Sequence, residues 1–114
     1  MPYISAKDDR REKLRNGEPA LTAGELNYQC FYFIKHNQGI INIKLIEGFV
    51  INFLGDKPNY QRYNDLTGAL IRCYVEINRR LNIDADYLID ICASYNDEIA
   101  KYEDTKIIEN QDVE

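Results

Sequence analysis

Ile40-Ile41-Asn42-Ile43-Lys44-Leu45-Ile46-Glu47-Gly48-Phe49-Val50-Ile51-Asn52-Phe53-Leu54 is the stretch on which the fold turns. Its first part, Ile41 to Leu45, alternates apolar and polar residues as a half-buried strand does, and Glu47-Gly48 suits the turn of a hairpin. Read instead at a helical repeat, the fifteen residues put apolar side chains almost all round the cylinder, as in a helix sandwiched within a core. Their length and the lack of an internal proline favour the helix, with a short β-hairpin over 40–54 as the alternative. Every other periodic segment reads as helix, so this choice separates an all-α fold from a mixed one.

Working outward toward the N-terminus, Thr22-Ala23-Gly24-Glu25 is a capping-box pattern just before an apolar run, so a helix is expected from Ala23. Leu26, Cys30, Phe33 and Ile34 recur along it at helical spacing, and Asn37-Gln38-Gly39 supplies its stop. Before it, Ser5-Ala6-Lys7-Asp8 reads as an N-cap with an acidic residue three positions on. The following Asp8 to Arg15 is charged nearly all round and predicts a short exposed helix, ended by Asn16-Gly17-Glu18-Pro19.

Toward the C-terminus, Asp56-Lys57-Pro58-Asn59 predicts a turn and Gln61 to Leu81 a long helix. At 100° per residue Leu66, Leu70, Cys73, Ile77 and Leu81 fall within about 80° of one another. Ile71 and Val75, with Gly68 beside them, form a second apolar strip on the far side. A helix apolar on two faces is either central in its bundle or lends one face to an oligomer, and glycine allows close backbone approach. Arg72, Glu76, Arg79 and Arg80 occupy the remaining face at spacings that permit i,i+4 pairs. Asn82-Ile83-Asp84 breaks the pattern, and Asp84 suits the N-cap of a last long helix reaching about Tyr102, with Leu88, Ile91, Cys92, Tyr95, Ile99 and Tyr102 as its stripe. The expectation is an all-α bundle of about four to five helices over 1–102, followed by an acidic tail over 103–114.

The whole chain is 114 residues with a net charge of −5, enough for one core and too little for two. The charge is unevenly spread: residues 1–20 carry +1, 21–102 carry −2 and 103–114 carry −4. Such a balance argues against affinity built on neutralising nucleic-acid phosphates. The start carries no basic segment followed by an apolar one, and no apolar run reaches the roughly 18 residues needed to span a bilayer, so a cytoplasmic protein is expected. Cys30, Cys73 and Cys92 fit neither a disulfide framework nor a CxxC metal site and lie on apolar helix faces, as small core thiols do. The lone His36 reads as a surface residue near a helix end.

The acidic set Asp86, Asp90, Asp97 and Glu98 invites comparison with all-helical nucleotide pyrophosphatases, which hold magnesium through carboxylates on helices. On a helical wheel, however, Asp86, Asp90 and Asp97 fall within about 40° of one another on the side opposite the apolar stripe, so they are expected to face solvent. Asp97 and Lys101 read as a surface pair. The six glycines form no phosphate loop, and two serines with one histidine support no triad. No cofactor is expected. Nine tyrosines and no tryptophan are the unusual feature. Tyr60, Arg62, Tyr63, Asn64 and Asp65, with Asn27 and Tyr28 from another helix, mix rings and hydrogen-bonding groups as a ligand- or partner-facing patch does. Core-edge packing with the hydroxyls reaching water is the plainer reading of the tyrosines.

Several segments together resemble a family of small, functionally uncharacterised tailed-phage and prophage proteins. They are Met1-Pro2-Tyr3-Ile4, Gly24-Glu25-Leu26-Asn27-Tyr28, Tyr60-Gln61 with Asn64-Asp65 and Gly68-Ala69-Leu70, Arg79-Arg80, and Tyr102-Glu103-Asp104-Thr105-Lys106-Ile107 with Glu109-Asn110 and Asp112-Val113. Gln111 stands where the family typically has glycine, the stretch between Tyr28 and Tyr60 is longer, and Asn82 to Ala100 reads as an inserted helix. The resemblance implies a viral or prophage origin and a helical fold, and it assigns no catalytic residues. It adds Arg79, Arg80, Tyr102, Glu103 and Asp104 to the candidate binding residues. The functional expectation is a non-enzymatic protein of the bacterial host's cytoplasm that binds a host or phage protein, for instance as a counter-defence inhibitor, and that self-associates through its two-faced helix. The alternative is a nucleotide-sequestering module, or a metal-dependent nucleotide pyrophosphatase using Asp86, Asp90 and Asp97.

Overall fold

Thr22, in extended conformation, accepts a hydrogen bond on Oγ1 from Glu25 N at 3.1 Å and so starts the helix that the capping pattern predicts. Glu25 does not close the box on the cap's own N–H; its Oε1 accepts from Leu21 N at 2.9 Å and from Arg10 at 2.8 Å. Such local signals run through a computed structural model that describes residues 9–37 and 43–101 and is all-α among them. Its helices are α1 (Arg10–Arg15), α2 (Ala23–His36), α3 (Ile43–Leu54), α4 (Tyr60–Leu81) and α5 (Tyr87–Ala93), with a further helical segment over 96–101. No described helix is long and apolar enough to cross a membrane. Ser5, Gln38, Gly39 and the acidic segment 103–114, with Tyr102, Glu103 and Asp104 of the candidate site, lie outside the described residues.

The deciding stretch is helical from Ile43 onward, which rules out a hairpin turn at Glu47-Gly48. It is not sandwiched. Ile46, Phe49, Val50, Phe53 and Leu54 are buried against α2 and α4, while Ile43, Leu45 and Ile51 face outward, Ile51 being 60% exposed. The alternation that imitated a strand therefore comes from apolar residues left on the outside of a peripheral helix. Gly55 follows at φ +72°, a left-handed turn that glycine adopts without steric cost.

α4 is the long helix the periodicity predicts. Asn59 caps it, accepting on Oδ1 from Arg62 N at 2.9 Å, and Asn82 ends it in the left-handed region at φ 55°. Leu66, Leu70, Cys73 and Ile77 have no exposed surface and meet α2, α3 and α5 along one line. Glu76, expected on the polar face, is instead buried. It lies between Arg72 Nε at 3.5 Å and Arg80 Nη1 at 3.7 Å, and the Arg80 guanidinium also covers the Phe31 ring at 4.9 Å. The two arginines reach around the helix edge and keep their charge at the surface while the carboxylate goes under.

The last helix departs from expectation twice. The Asp84 carboxylate lies beside the Tyr74 hydroxyl, raising that hydroxyl's pKa by its charge and by the hydrogen bond between them. With that side chain engaged, the helix begins only at Tyr87 and carries no side-chain cap. It then breaks at Ser94-Tyr95, where Ser94 Oγ donates to the Ile91 carbonyl at 2.6 Å and so takes an acceptor at the helix end.

α1 is shorter and less exposed than its charges predict. Leu14 is fully buried, and the buried Gln29 of α2 donates through Nε2 to Leu14 O at 2.8 Å and Glu18 O at 2.9 Å. Those bonds satisfy a helix-end carbonyl and a loop carbonyl inside the protein. Leu14→Ala is accordingly expected to cost about 3 kcal/mol, within the range for truncating a buried leucine. Urea unfolding measures it; a cost near zero would show α1 to be the surface appendage that the sequence suggests.

Candidate functional site

The residues singled out from sequence do not present one surface. Asn27 and Tyr63 are buried in the core. Tyr28 is half-buried and turned toward α1, its hydroxyl accepting from Arg15 Nε at 2.8 Å. Arg62 is spent on structure: Nη1 donates to Leu21 O at 2.8 Å and the guanidinium lies 4.2 Å from the Phe53 ring centroid. Asp65 accepts from Gln61 Nε2 at 2.8 Å, and Arg80 pairs with Glu76. Tyr60, Asn64 and Arg79 are exposed. The tyrosines take the core-edge role: Tyr28, Tyr32, Tyr74, Tyr87 and Tyr95 are half-buried, with Tyr95 set 6.0 Å from Tyr63 between ring centroids.

What α4 does bring together is a row on its outer side. Asn64, Gly68, Ile71, Val75 and Arg79 follow one another at steps of three or four residues and all are exposed. At 1.5 Å per residue the row spans about 22 Å. Ile71 and Val75 are 38% and 43% exposed, large values for aliphatic residues side by side on a helix whose other face is the core. At Gly68 a β-carbon would meet nothing within 4 Å. The glycine thus leaves a shallow seat beside two aliphatic side chains, with polar groups at both ends. The close backbone approach expected at Gly68 is not used within the described chain.

The groups that would carry chemistry are placed otherwise. Asp86, Asp90 and Asp97 are exposed, as the helical wheel predicts, Glu98 is exposed too, and among the described residues no group of three or more His, Cys, Asp or Glu converges to hold a metal ion. Lys101 pairs with Glu98 at 3.3 Å rather than with Asp97. His36 is exposed at the end of α2, its ring 4.3 Å from that of Tyr32. All three cysteines are buried and free. Burial pushes the Cys30 thiol up to about 12, with Cys92 adding to it, and pushes Cys92 up to about 11. Cys73 also rises, through burial and then through Cys30 and Glu76.

No family model, curated protein or solved structure matches the chain.

The thiols set two expectations. A disulfide-exchange reagent at pH 8 should label no cysteine in the folded protein and all three once urea unfolds it, since the thiolate is the reacting form. Unfolded thiols titrate at about pH 8.5, below the folded values, so the neutral thiols contribute full stability below that pH and lose it as pH climbs toward 11 to 12. Urea midpoints between pH 7 and 10 should therefore fall at the alkaline end, and the fall should shrink in a Cys30→Ala variant.

Proposed function

We propose that this chain is a non-enzymatic accessory protein of phage or prophage origin, acting in the bacterial host's cytoplasm by stoichiometric contact with a host or phage protein through the outer row of α4. The observation that carries the reading is the exposed pair Ile71 and Val75 beside the open position at Gly68. Aliphatic side chains next to a missing β-carbon form a seat into which a partner helix packs closely, and the flanking Asn64 and Arg79 supply a polar rim. The buried, protonated thiols and the outward carboxylates support binding over catalysis. A counter-defence inhibitor is one form such a protein takes, because its effect needs only occupancy of a partner's working surface.

The test compares the tagged chain with Ile71→Asp/Val75→Asp in capture from bacterial lysate, with mass-spectrometric identification and light-scattering mass of each protein. Both positions are exposed, so the double variant should keep its helical circular-dichroism spectrum. The expected result is one partner recovered in stoichiometric amount by the parent chain and lost by the variant. Recovery of nothing specific by the parent, or equal recovery by both, overturns the reading. A dimeric mass that falls to monomer in the variant would assign the row to self-association instead. Thermal-shift screening with nucleotides and magnesium addresses the other class: a melting-point rise abolished by Asp86→Asn/Asp90→Asn would make this a nucleotide enzyme.

A further inference from the structure

A second surface is built jointly by α1 and α2. Tyr28, Tyr32, Lys35 and His36 share one face of α2 by their spacing. Arg11 and Arg15, one turn apart on α1, lie over it: the Arg11 guanidinium is 5.6 Å from the Tyr28 ring, and that of Arg15 is 5.9 Å from Tyr28 and 4.9 Å from Tyr32. Tyr28 and Tyr32 stack at 6.3 Å, and His36 continues the line. Arg15 is fixed further by its hydrogen bond to the Tyr28 hydroxyl.

Of the neighbouring acids, Asp9, Glu18 and Glu25 are engaged elsewhere, while Glu12 of α1 is exposed and pairs with neither arginine among the described residues. Asp9 pairs with Lys13 at 3.6 Å, and Glu18 and Glu25 both pair with Arg10. Among the described residues neither Arg11 nor Arg15 has a carboxylate partner, and Arg11 Nε has no hydrogen-bond acceptor. Two guanidiniums thus lie within about 6 Å of ring centroids with no carboxylate partner among the described residues, and a guanidinium so placed offers the planar fork that binds carboxylates in bidentate fashion.

We infer that this arginine–tyrosine shelf is a docking site for an extended acidic peptide segment of a protein partner, with carboxylates at alternate positions. The spacing fits: Cβ atoms one helical turn apart are about 6 Å from each other, and alternate residues of an extended strand repeat at about 6.8 Å on the same side. Carboxylate is favoured over polynucleotide for two reasons. The ring faces are already occupied by guanidiniums and by each other, so a base finds no open stacking platform. The chain's net charge of −5 also opposes a long polyanion more than a short segment.

The experiment is fluorescence anisotropy of the full chain with a labelled eight-residue peptide alternating glutamate and serine, alongside an oligothymidylate of equal charge. Binding of the peptide should weaken as salt rises from 50 to 300 mM and fall about tenfold or more in Arg11→Gln/Arg15→Gln, since each lost charge-assisted contact is worth roughly an order of magnitude. Arg15→Lys, which keeps the charge and removes the planar fork, should also bind more weakly than the parent. Lys57→Gln, an exposed charge removed between α3 and α4, should bind as the parent does. Unchanged melting temperatures would confirm that the variants fold. Absence of peptide binding, equal loss in Lys57→Gln, full affinity in Arg15→Lys, or tighter binding of the oligothymidylate would each overturn the assignment.

Discussion

A single line of side chains on α4 has to serve three helices at once. Leu66, Leu70, Cys73 and Ile77 lie within one narrow sector and contribute no surface to solvent, because α2, α3 and α5 all close on that side. Close packing in that sector leaves no room for a further helix, and it leaves the opposite side of a 22-residue helix uncovered. The outward row from Asn64 to Arg79 follows from this arrangement. So does the burial of Glu76 on the flank of that line, where Arg72 and Arg80, the latter also lying over the Phe31 ring, supply charge that the interior does not.

Most of the fold is legible in the sequence because its signals are local. A threonine before an apolar repeat caps the helix it introduces, as Thr22 does, and Asn59, read from sequence only as the end of a turn, caps α4 in the same way. Stripe residues at helical spacing go inside, and all three cysteines follow that rule. The failures share a cause: they depend on which neighbour a side chain meets. Asp84 is equally suited to cap a helix or to meet a tyrosine, and Tyr74 one helix earlier decides it. Glu76 reads as polar surface until Arg72 and Arg80 are seen to fold over it. α3 looks apolar all round, yet only its contacts with α2 and α4 show which side is covered.

The binding surfaces divide in the same way. The Ile71 and Val75 strip is visible as a second helical stripe on one continuous helix. The patch around Tyr28 and Tyr63 is assembled from residues whose proximity no spacing could guarantee, and the structure sends two of its members, Asn27 and Tyr63, into the core. The arginine–tyrosine shelf escapes a sequence reading although its parts show matching one-turn spacing, Arg11 with Arg15 and Tyr28 with Tyr32. What sequence lacks is the way the loop from Asn16 to Leu21 sets α1 against α2, and that loop is held by Gln29 at Glu18 O, Arg10 at Pro19 O and Arg62 at Leu21 O.

The Gln29 amide has a consequence for how the molecule opens. Its two donated bonds end on Leu14 and Glu18, either side of the Gly17 turn, and Leu14 is buried beneath them. α1 cannot lift away without breaking both bonds donated by the Gln29 amide and putting the Leu14 side chain in water. Native-state hydrogen exchange of α1 and of the centre of α2 is therefore expected to follow one shared opening, although the turn between them lies at the surface.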